Sequence, residues 1–182
     1  MTYLQVLLGP AAAQRGFVTP QNARDLGVPP VELAKMAARG GMEHRSYGLY
    51  RVAGFPSMPG DELMEAVLWA GGGIISHEAA LAHWELADVN PRRIDITVER
   101  RVRRTGGDRY RLWIAQVPPA DADEYLGIPV TSPARTIRDA AAAGTDPALI
   151  DQAIGNGVSR QLLGLRDRKQ LVDQQRAQRV GG

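Results

Sequence analysis

The sequence contains no cysteine, which excludes disulfides, thiolate nucleophiles and cysteine-ligated zinc. Long apolar runs are also missing, because the most apolar stretch, residues 66–75, is interrupted by three glycines. It falls short of the roughly 18 apolar residues that a membrane helix needs. The first residues lack the basic leader of a signal peptide. These absences predict a soluble, cytoplasmic protein without membrane contact.

Lysine is scarce as well, with two residues against 20 arginines. Arginine favours planar, bidentate contacts to phosphate or carboxylate. The charges are strongly segregated although the net charge is only +2. Residues 56–91 contain six acidic residues and no basic one, whereas residues 92–111 contain eight arginines and three acidic residues. This pattern is compatible with a nucleic-acid surface and equally with pairing between segments.

The stretch SHEAALAHW resembles a zinc-protease helix at first sight. Its histidines, His77 and His83, are six residues apart, so their rings should point roughly 120° apart on a helix. The position four residues after His77 is Leu81, and Ser76 suits a helix N-cap. We therefore predict a structural helix start, with no metal, no cofactor and no catalytic residue.

Residues 1–55 predict three short helices followed by a hairpin around Ser46-Tyr47-Gly48. This order is typical of a winged helix-turn-helix, in which the third helix enters a major groove and the ribbon contacts the backbone. Basic side chains on these elements are candidate phosphate contacts. They are Arg24, Lys35, Arg39, Arg45 and Arg51.

Residues 56–182 predict a second domain, because the Pro/Gly-rich segment 55–60 is typical of a linker that contains a domain boundary. We expect a mixed α/β (α+β) domain with a small, mainly antiparallel sheet. Its strands are predicted at 74–75, 94–98, 110–117 and 126–130, with helices after Asp61, Ser76, Pro133 and Pro147 and a final helix before a disordered tail at 174–182.

A predicted hairpin tip between the second and third of these strands, with a turn at 105–108, contains the most basic part of the chain. Such a density of charge can hold RNA, DNA or an acidic protein face, or it can form a solvated loop. The arginines concerned are Arg100, Arg101, Arg103, Arg104, Arg109 and Arg111.

Four segments, taken together, resemble AbiEi-type antitoxins of type IV toxin–antitoxin systems. They are GFVTPQNARDLGV, GLYRVAG, IISHEAALAHWEL and GIPVTSPARTIRDAA, and their order and spacing match across residues 3–173. The resemblance implies a winged helix that represses the protein's own operon and a C-terminal antitoxin domain that counteracts a nucleotidyltransferase-like toxin. The operator-contacting face would then be the helix 30–39 and the ribbon with Arg45, Tyr47 and Arg51.

Three alternatives remain open at this stage. A stand-alone winged-helix regulator and a protein-binding antitoxin module without DNA binding both fit the same pattern. A magnesium-dependent nuclease fits poorly, because such a site needs carboxylates and a lysine around the metal. The only lysines are Lys35 and Lys169, and neither belongs to an E-x-K motif on a predicted strand. We therefore expect no enzymatic activity, and each of the binding hypotheses allows a homo-oligomer.

Overall fold

The computed structural model describes residues 2–104 and 107–180, and it divides the chain into two compact units. The first comprises Met1–Gly72 with Val102–Gly106, and the second comprises Gly73–Arg101 with Gly107–Gly182. Both units combine helices with a sheet, so the predicted mixed α/β class is confirmed.

The first unit contains three strands and four helices among its described residues. They are α1 (Tyr3–Ala13), β1 (Phe17–Val18), α2 (Pro20–Asp25), α3 (Val31–Ala38), β2 (Met42–Ser46), β3 (Leu49–Val52) and α4 (Asp61–Trp69). The strands form an antiparallel sheet in the order β1-β3-β2. The three helices and the hairpin expected in the first 55 residues are therefore confirmed. The two-residue β1 was not predicted, because it is too short to show an alternating pattern.

Local sequence explains where the first helices begin. Thr2 and Thr19 each cap a helix, and in both cases the side chain of the third helical residue, Gln5 or Asn22, bonds back to the cap. Pro20 follows at a position where no amide hydrogen is needed. The apolar sides of these helices and of the sheet form one core, which contains Leu7, Ala11, Val18, Ala23, Val28, Leu33, Met42 and Val52.

The segment that we predicted as a linker is instead fastened to the first unit. Phe55 packs on the core, and the carbonyl oxygens of Pro56 and Pro59 accept hydrogen bonds from Arg51 and Arg15. As a result α4 belongs to the first unit, and the boundary lies at residues 72–73 rather than at the predicted residues 55–56.

One carboxylate in the first turn of α4 accounts for much of this attachment. Asp61 Oδ2 accepts from Arg51 Nη2 at 2.7 Å and from the amide of Met58 at 3.0 Å, and Asp61 Oδ1 lies 3.6 Å from Arg15 Nη1. All three charged side chains are at most 16% exposed. Removing one member of such a cluster leaves charges with little water to solvate them.

The second unit has five strands and four helices among its described residues. They are β4 (Ile74–Ile75), α5 (His77–His83), β5 (Ile94–Val98), β6 (Tyr110–Ile114), β7 (Ala122–Tyr125), β8 (Ile128–Thr131), α6 (Pro133–Ala142), α7 (Pro147–Ser159) and α8 (Leu165–Val180). The sheet order is β6-β5-β4-β8-β7. The short strand β7, like β1 in the first unit, was not predicted.

The prediction of a mainly antiparallel sheet is wrong for the second unit. β5 pairs with β6 in parallel, and so does β4 with β8, whereas β4–β5 and β7–β8 are antiparallel. Because Ile94 faces Tyr110 and Val98 faces Ile114, β6 begins beside the start of β5 and runs in the same direction. The two strands are therefore not a hairpin, as had been predicted, since parallel strands need a crossover connection. Thr105 and Gly106 of the predicted turn lie outside the described residues.

The helices predicted after Pro133 and Pro147 form, and each is capped by the side chain of the preceding residue. Ser132 accepts a hydrogen bond from the amide of Arg135, and Asp146 accepts one from the amide of Ala148. The prediction of a disordered tail fails for residues 174–180, because α8 continues to Val180 and Gln175 donates to the carbonyl of Pro147 and to Asp151. Residues 181–182 lie outside the described residues.

We predict that Asp61→Ala lowers the free energy of unfolding by about 2–3 kcal/mol, because it leaves the poorly solvated guanidiniums of Arg15 and Arg51 without their carboxylate. Urea denaturation of the full chain measures this change. Glu62→Ala, which removes an exposed carboxylate from the same turn, is the matched control and should stay within about 0.5 kcal/mol of the parent. Equal effects of the two substitutions would contradict the role of Asp61.

Candidate functional site

The helix α3 exposes a face of small and basic residues. Val31 is 58% exposed, and Ala34, Lys35, Ala38 and Arg39 are exposed along the same face. Leu33 is buried on the opposite side and anchors the helix to the core. Such a face can approach a base-pair edge closely, since alanine and valine side chains fit against a thymine methyl group.

The two basic side chains of α3 differ in their electrostatic state. Lys35 Nζ lies 2.7 Å from Glu32 Oε1, so its charge is compensated within the helix. Arg39, at the C-terminal end, has no ion-pair partner within 4 Å among the described residues. Of the two predicted contacts on this helix, Arg39 is therefore the more available to a phosphate.

Two other predicted DNA contacts are engaged in ion pairs within the first unit. Arg51 is held by Asp61, by the Pro56 carbonyl and by the Phe17 ring, whose centroid is 5.4 Å from its guanidinium carbon. Its side chain is only 12% exposed, so little of Arg51 is available for the predicted contact with DNA. Arg45 pairs with Glu65 at 3.2 Å and with Glu43 at 3.8 Å, but it stays 42% exposed.

The remaining two predicted contacts, Arg24 and Tyr47, line an open cleft of about 690 Å³ in the first unit. Tyr47 is at the tip of the β2–β3 hairpin and is 75% exposed. Gly48 beside it has φ +68 and approaches Pro20 of α2. The sequence therefore predicted six residues for one surface, and the structure distributes them over the face of α3, this cleft and an ion-pair network.

The six arginines of the predicted hairpin tip are also distributed. Arg100 and Arg101 follow β5, whereas Arg109 and Arg111 lie at the start of β6, which pairs with the start of β5. The length of a five-residue strand, roughly 13 Å, therefore separates the two pairs. The prediction of one dense arginine cluster is wrong, because the strands are parallel.

The other two arginines, Arg103 and Arg104, belong to the first unit. Arg103 is exposed. Arg104 Nη1 donates to the carbonyl oxygens of Trp69 at 2.5 Å and Leu68 at 3.3 Å, and the guanidinium lines the same cleft as Arg24. Gly71, with φ +80, leaves room for it, since a Cβ there would lie 3.3 Å from Arg104 Nη2.

In the second unit the Ser76-His77 pair forms a buried polar cluster. Ser76 Oγ accepts from Thr97 Oγ1 at 2.8 Å and lies 2.9 Å from His77 Nδ1, so the serine hydroxyl can donate to the imidazole. The His77 ring stacks on Trp113 at 3.9 Å. Ser76 precedes α5 as predicted, but its side chain does not cap the helix.

His77 combines backbone strain with a shifted titration. Its φ of +51 lies in the left-handed region, which is unfavourable for a residue other than glycine. Burial lowers its pKa from 6.5 to about 4; Asp139 opposes this decrease, and Arg135 and Arg111 add to it. His77 is therefore neutral near pH 7, and its strained geometry is maintained by the serine and the tryptophan.

A smaller polar cleft of about 350 Å³ lies in the same unit. The buried Asp95 accepts a hydrogen bond from Trp113 Nε1 at 2.9 Å and lies 3.9 Å from Arg111. Burial raises the pKa of Asp95 above its usual range, although the bond from Trp113 and the charge of Arg111 oppose this. The lining includes the acidic side chains of Glu78 and Asp95, the uncharged Asn90, and the basic side chains of Arg92, Arg93 and Arg111.

Arg135 and Asp139, which are four residues apart on α6, form an ion pair that belongs to a larger cluster. Arg135 Nε bonds to both oxygens of Asp139 at 2.7–2.8 Å, and its Nη1 bonds to Asp121 at 3.0 Å. The side chains of Arg135 and Asp139 are both at most 16% exposed. Thr136 beside them donates to the carbonyl of Thr131, which fastens α6 to β8.

Within residues 2–104 and 107–180, no group of three or more His, Asp or Glu side chains is arranged to hold a metal ion. The two histidines of the SHEAALAHW stretch have separate partners, since His83 Nε2 contacts the carbonyl of Tyr125. No helix in the described part of the chain has the length and apolarity to cross a membrane.

Comparison with known proteins shows a shared fold. The structure is similar to the crystal structure of the RV2827C protein from Mycobacterium tuberculosis, with a TM-score of 0.51 and 16% sequence identity over 95% of this chain and 72% of that chain. No protein-family model matches the chain, and no curated protein is significantly similar in sequence.

We predict that His77 makes the protein less stable as the pH falls from 6.5 towards 4. In this range the unfolded chain binds a proton at His77 and the folded chain does not, so up to about 3 kcal/mol of stability is lost. Urea denaturation at several pH values, compared with His77→Asn, measures this contribution. Asparagine tolerates the left-handed backbone and does not titrate.

Comparing the pH dependence of stability in the parent and in His77→Asn removes the contribution of the other titratable groups. Asp95 acts in the opposite direction, because its raised pKa means that acid protonates the folded state first, but this contribution is present in both proteins. The variant should lose less stability than the parent between pH 6.5 and 4. Parallel pH profiles would show that His77 is not held neutral.

Proposed function

We propose that the chain is a DNA-binding antitoxin of the AbiEi type, with a winged helix-turn-helix in its first unit. The observation that carries the proposal is the order α1-β1-α2-α3-β2-β3 with β1 paired to β3. In a winged helix this arrangement presents the third helix to the major groove and the hairpin to the backbone. The protein would act in the cytoplasm on its own operator, without a cofactor and without catalysis.

The exposed groups of α3 support this role. Val31, Ala34 and Ala38 give a narrow, largely uncharged face that fits a groove, and Arg39 supplies a cation beside it. Tyr47 on the hairpin tip is positioned to bond a phosphate. Because Lys35 and Arg51 are paired, only a few charges remain for the phosphates, and a weak dependence of binding on salt follows.

The second unit would counteract the toxin. The antitoxin assignment rests on the resemblance to AbiEi proteins across residues 3–173, and a nucleotidyltransferase-like toxin is the partner that this resemblance implies. Arg92, Arg93 and Arg111 are exposed beside the smaller cleft and offer an acidic protein face forked hydrogen bonds. A second copy of the chain could bind a paired half-site on the operator.

A protein-binding module without DNA affinity is the second candidate. The compensated charge of Lys35 favours it, because a recognition helix usually offers more free cations than α3 does. The two candidates share the antitoxin activity and differ only in the use of the first unit.

We predict that Arg39→Gln weakens binding to duplex DNA from the upstream region by roughly fivefold, as expected for the loss of one charged contact of about 1 kcal/mol. It should also reduce the slope of log K against log salt by about 0.9, the effect of one phosphate. Fluorescence anisotropy of a labelled duplex measures both quantities.

Arg166→Gln is the matched control, since it removes an exposed arginine from α8 of the second unit. Its affinity and salt slope should equal those of the parent. If the two variants lose affinity equally, α3 is not the contact surface; if the parent does not bind at low salt, the protein-binding candidate is preferred.

The antitoxin activity is tested by expressing the adjacent gene alone and together with this chain. We expect the neighbour to arrest growth alone and the pair to grow normally, because the second unit neutralises the toxin. A harmless neighbour, or a toxic neighbour whose effect this chain does not relieve, would contradict the antitoxin proposal and favour a stand-alone regulator.

A further inference from the structure

The open cleft lined by Arg24 and Arg104 in the first unit has a composition that the proposed function does not explain. Its volume of about 690 Å³ is far greater than one phosphate group occupies and lies within the range of small-molecule sites. No residue of α3, which the structure describes completely, contributes to its lining. The cleft is therefore distinct from the helix face assigned to the operator.

The charged groups of the cleft are of one sign. Arg24 and Arg104 line it, and no Asp or Glu is among the described lining residues. Neither arginine has a carboxylate within 4 Å in the described part of the chain; Arg24 donates to Gln21 at 3.2 Å and Arg104 to two backbone carbonyls. Two positioned guanidiniums with uncompensated charge favour an anion, and a phosphate in particular.

Among the described residues, the cleft lining contains Asn22 and two arginines with donors available, and also one buried acceptor without a hydrogen-bond partner, Gln14 Oε1. Asn22 uses its carbonyl oxygen to accept from both the amide and the hydroxyl of Thr19, which leaves its amide nitrogen to donate. Arginine has donors only. A ligand rich in acceptor atoms matches this lining better than one rich in donors.

Three aromatic rings also line the cleft. His44 and Tyr50 form a tilted pair with centroids 5.1 Å apart, and Tyr47 is 75% exposed at the rim. Such rings offer π-faces on which a base can stack, an interaction worth about 1–3 kcal/mol per base. A bare phosphate or sulfate would leave them unused.

From these features we infer that the cleft binds a nucleoside phosphate, with the phosphate on Arg24 and Arg104 and the base against His44, Tyr47 or Tyr50. The same chemistry is offered by a free nucleotide and by a nucleotide of a single strand. The inference goes beyond operator recognition by α3, so the first unit would have two nucleic-acid-related sites, which share Tyr47 at the hairpin tip.

The test is calorimetric titration of the full chain with AMP, GMP, CMP and UMP, and with inorganic phosphate as the comparison. We expect nucleotides to bind more tightly than phosphate. Arg104→Gln should weaken nucleotide binding about tenfold or more, the usual effect of losing a charged hydrogen bond. Arg103→Gln, an exposed neighbour outside the lining, is the matched control and should bind like the parent.

Two further variants keep the result interpretable if Arg104→Gln unfolds the protein. Arg24→Gln removes the second guanidinium, which donates to the exposed side chain of Gln21, and should also weaken nucleotide binding. Tyr47→Ala removes an exposed ring and should weaken nucleotide binding without changing phosphate binding. A short single-stranded oligonucleotide that displaces AMP would identify nucleic acid as the source, and failure to displace it would identify a free nucleotide.

Three outcomes would overturn the inference. The first is that the parent binds no nucleotide at about 1 mM, and the second is that it binds nucleotides and inorganic phosphate with equal affinity. The third is that Arg103→Gln and Arg104→Gln bind nucleotides with equal affinity. Duplex binding by Arg39→Gln and Arg104→Gln is measured in the same series, and it shows whether each arginine contributes to the operator interface. Loss of duplex binding in Arg104→Gln, with no nucleotide binding by the parent, would make the cleft part of the operator interface.

Discussion

The first unit depends on the interaction of one carboxylate, Asp61, with two guanidiniums. Arg51 belongs to β3 and Arg15 follows α1, so the carboxylate ties the start of α4 to both the sheet and the helical part of the unit. Attaching α4 places Leu68, Gly71 and Gly72 in the wall of the large cleft. The carbonyls that hold Arg104 are at the end of the same helix, so the proposed phosphate site depends indirectly on Asp61.

Ion pairs of this kind also determine which basic residues are available for binding. A sequence with 20 arginines suggests a highly basic surface, but several of these side chains neutralise carboxylates within their own unit. Arg51, Arg45 and Arg135 are examples, each with an acidic partner at 2.7–3.2 Å. The arginines of the first unit that have no ion pair among the described residues include Arg24 and Arg104, which line one cleft, and Arg39 at the end of α3. This placement favours selective sites over a continuous basic patch.

Features set by local sequence could be predicted well. Helix starts are marked by Thr19, Ser132 and Asp146, each of which caps its helix and is followed by a proline, and these helices were predicted. The direction of β6 could not be predicted in this way, because the strand's length and alternation are the same in a hairpin and in a crossover. The two-residue strand β1 gives no periodic signal at all.

The candidate sites show the same limit. The basic residues of the first unit were visible in the sequence, but pairing of Arg51 with Asp61 and of Arg45 with Glu65 spans 10 and 20 residues and follows no helical or strand period. The cleft combines residues from Gln14 to Arg104, so no sequence window contains it. His77 was noticed for the wrong reason, since its strain and burial follow from tertiary packing against Trp113.

The central claim is that the first unit recognises DNA through α3 and the hairpin tip. The most direct measurement is an NMR titration of the isotopically labelled full chain with duplex DNA from its upstream region. The account predicts that the amide signals of residues 31–39 and 46–48 shift most. Shifts confined to residues of the second unit, or no shifts at a low salt concentration, would contradict it.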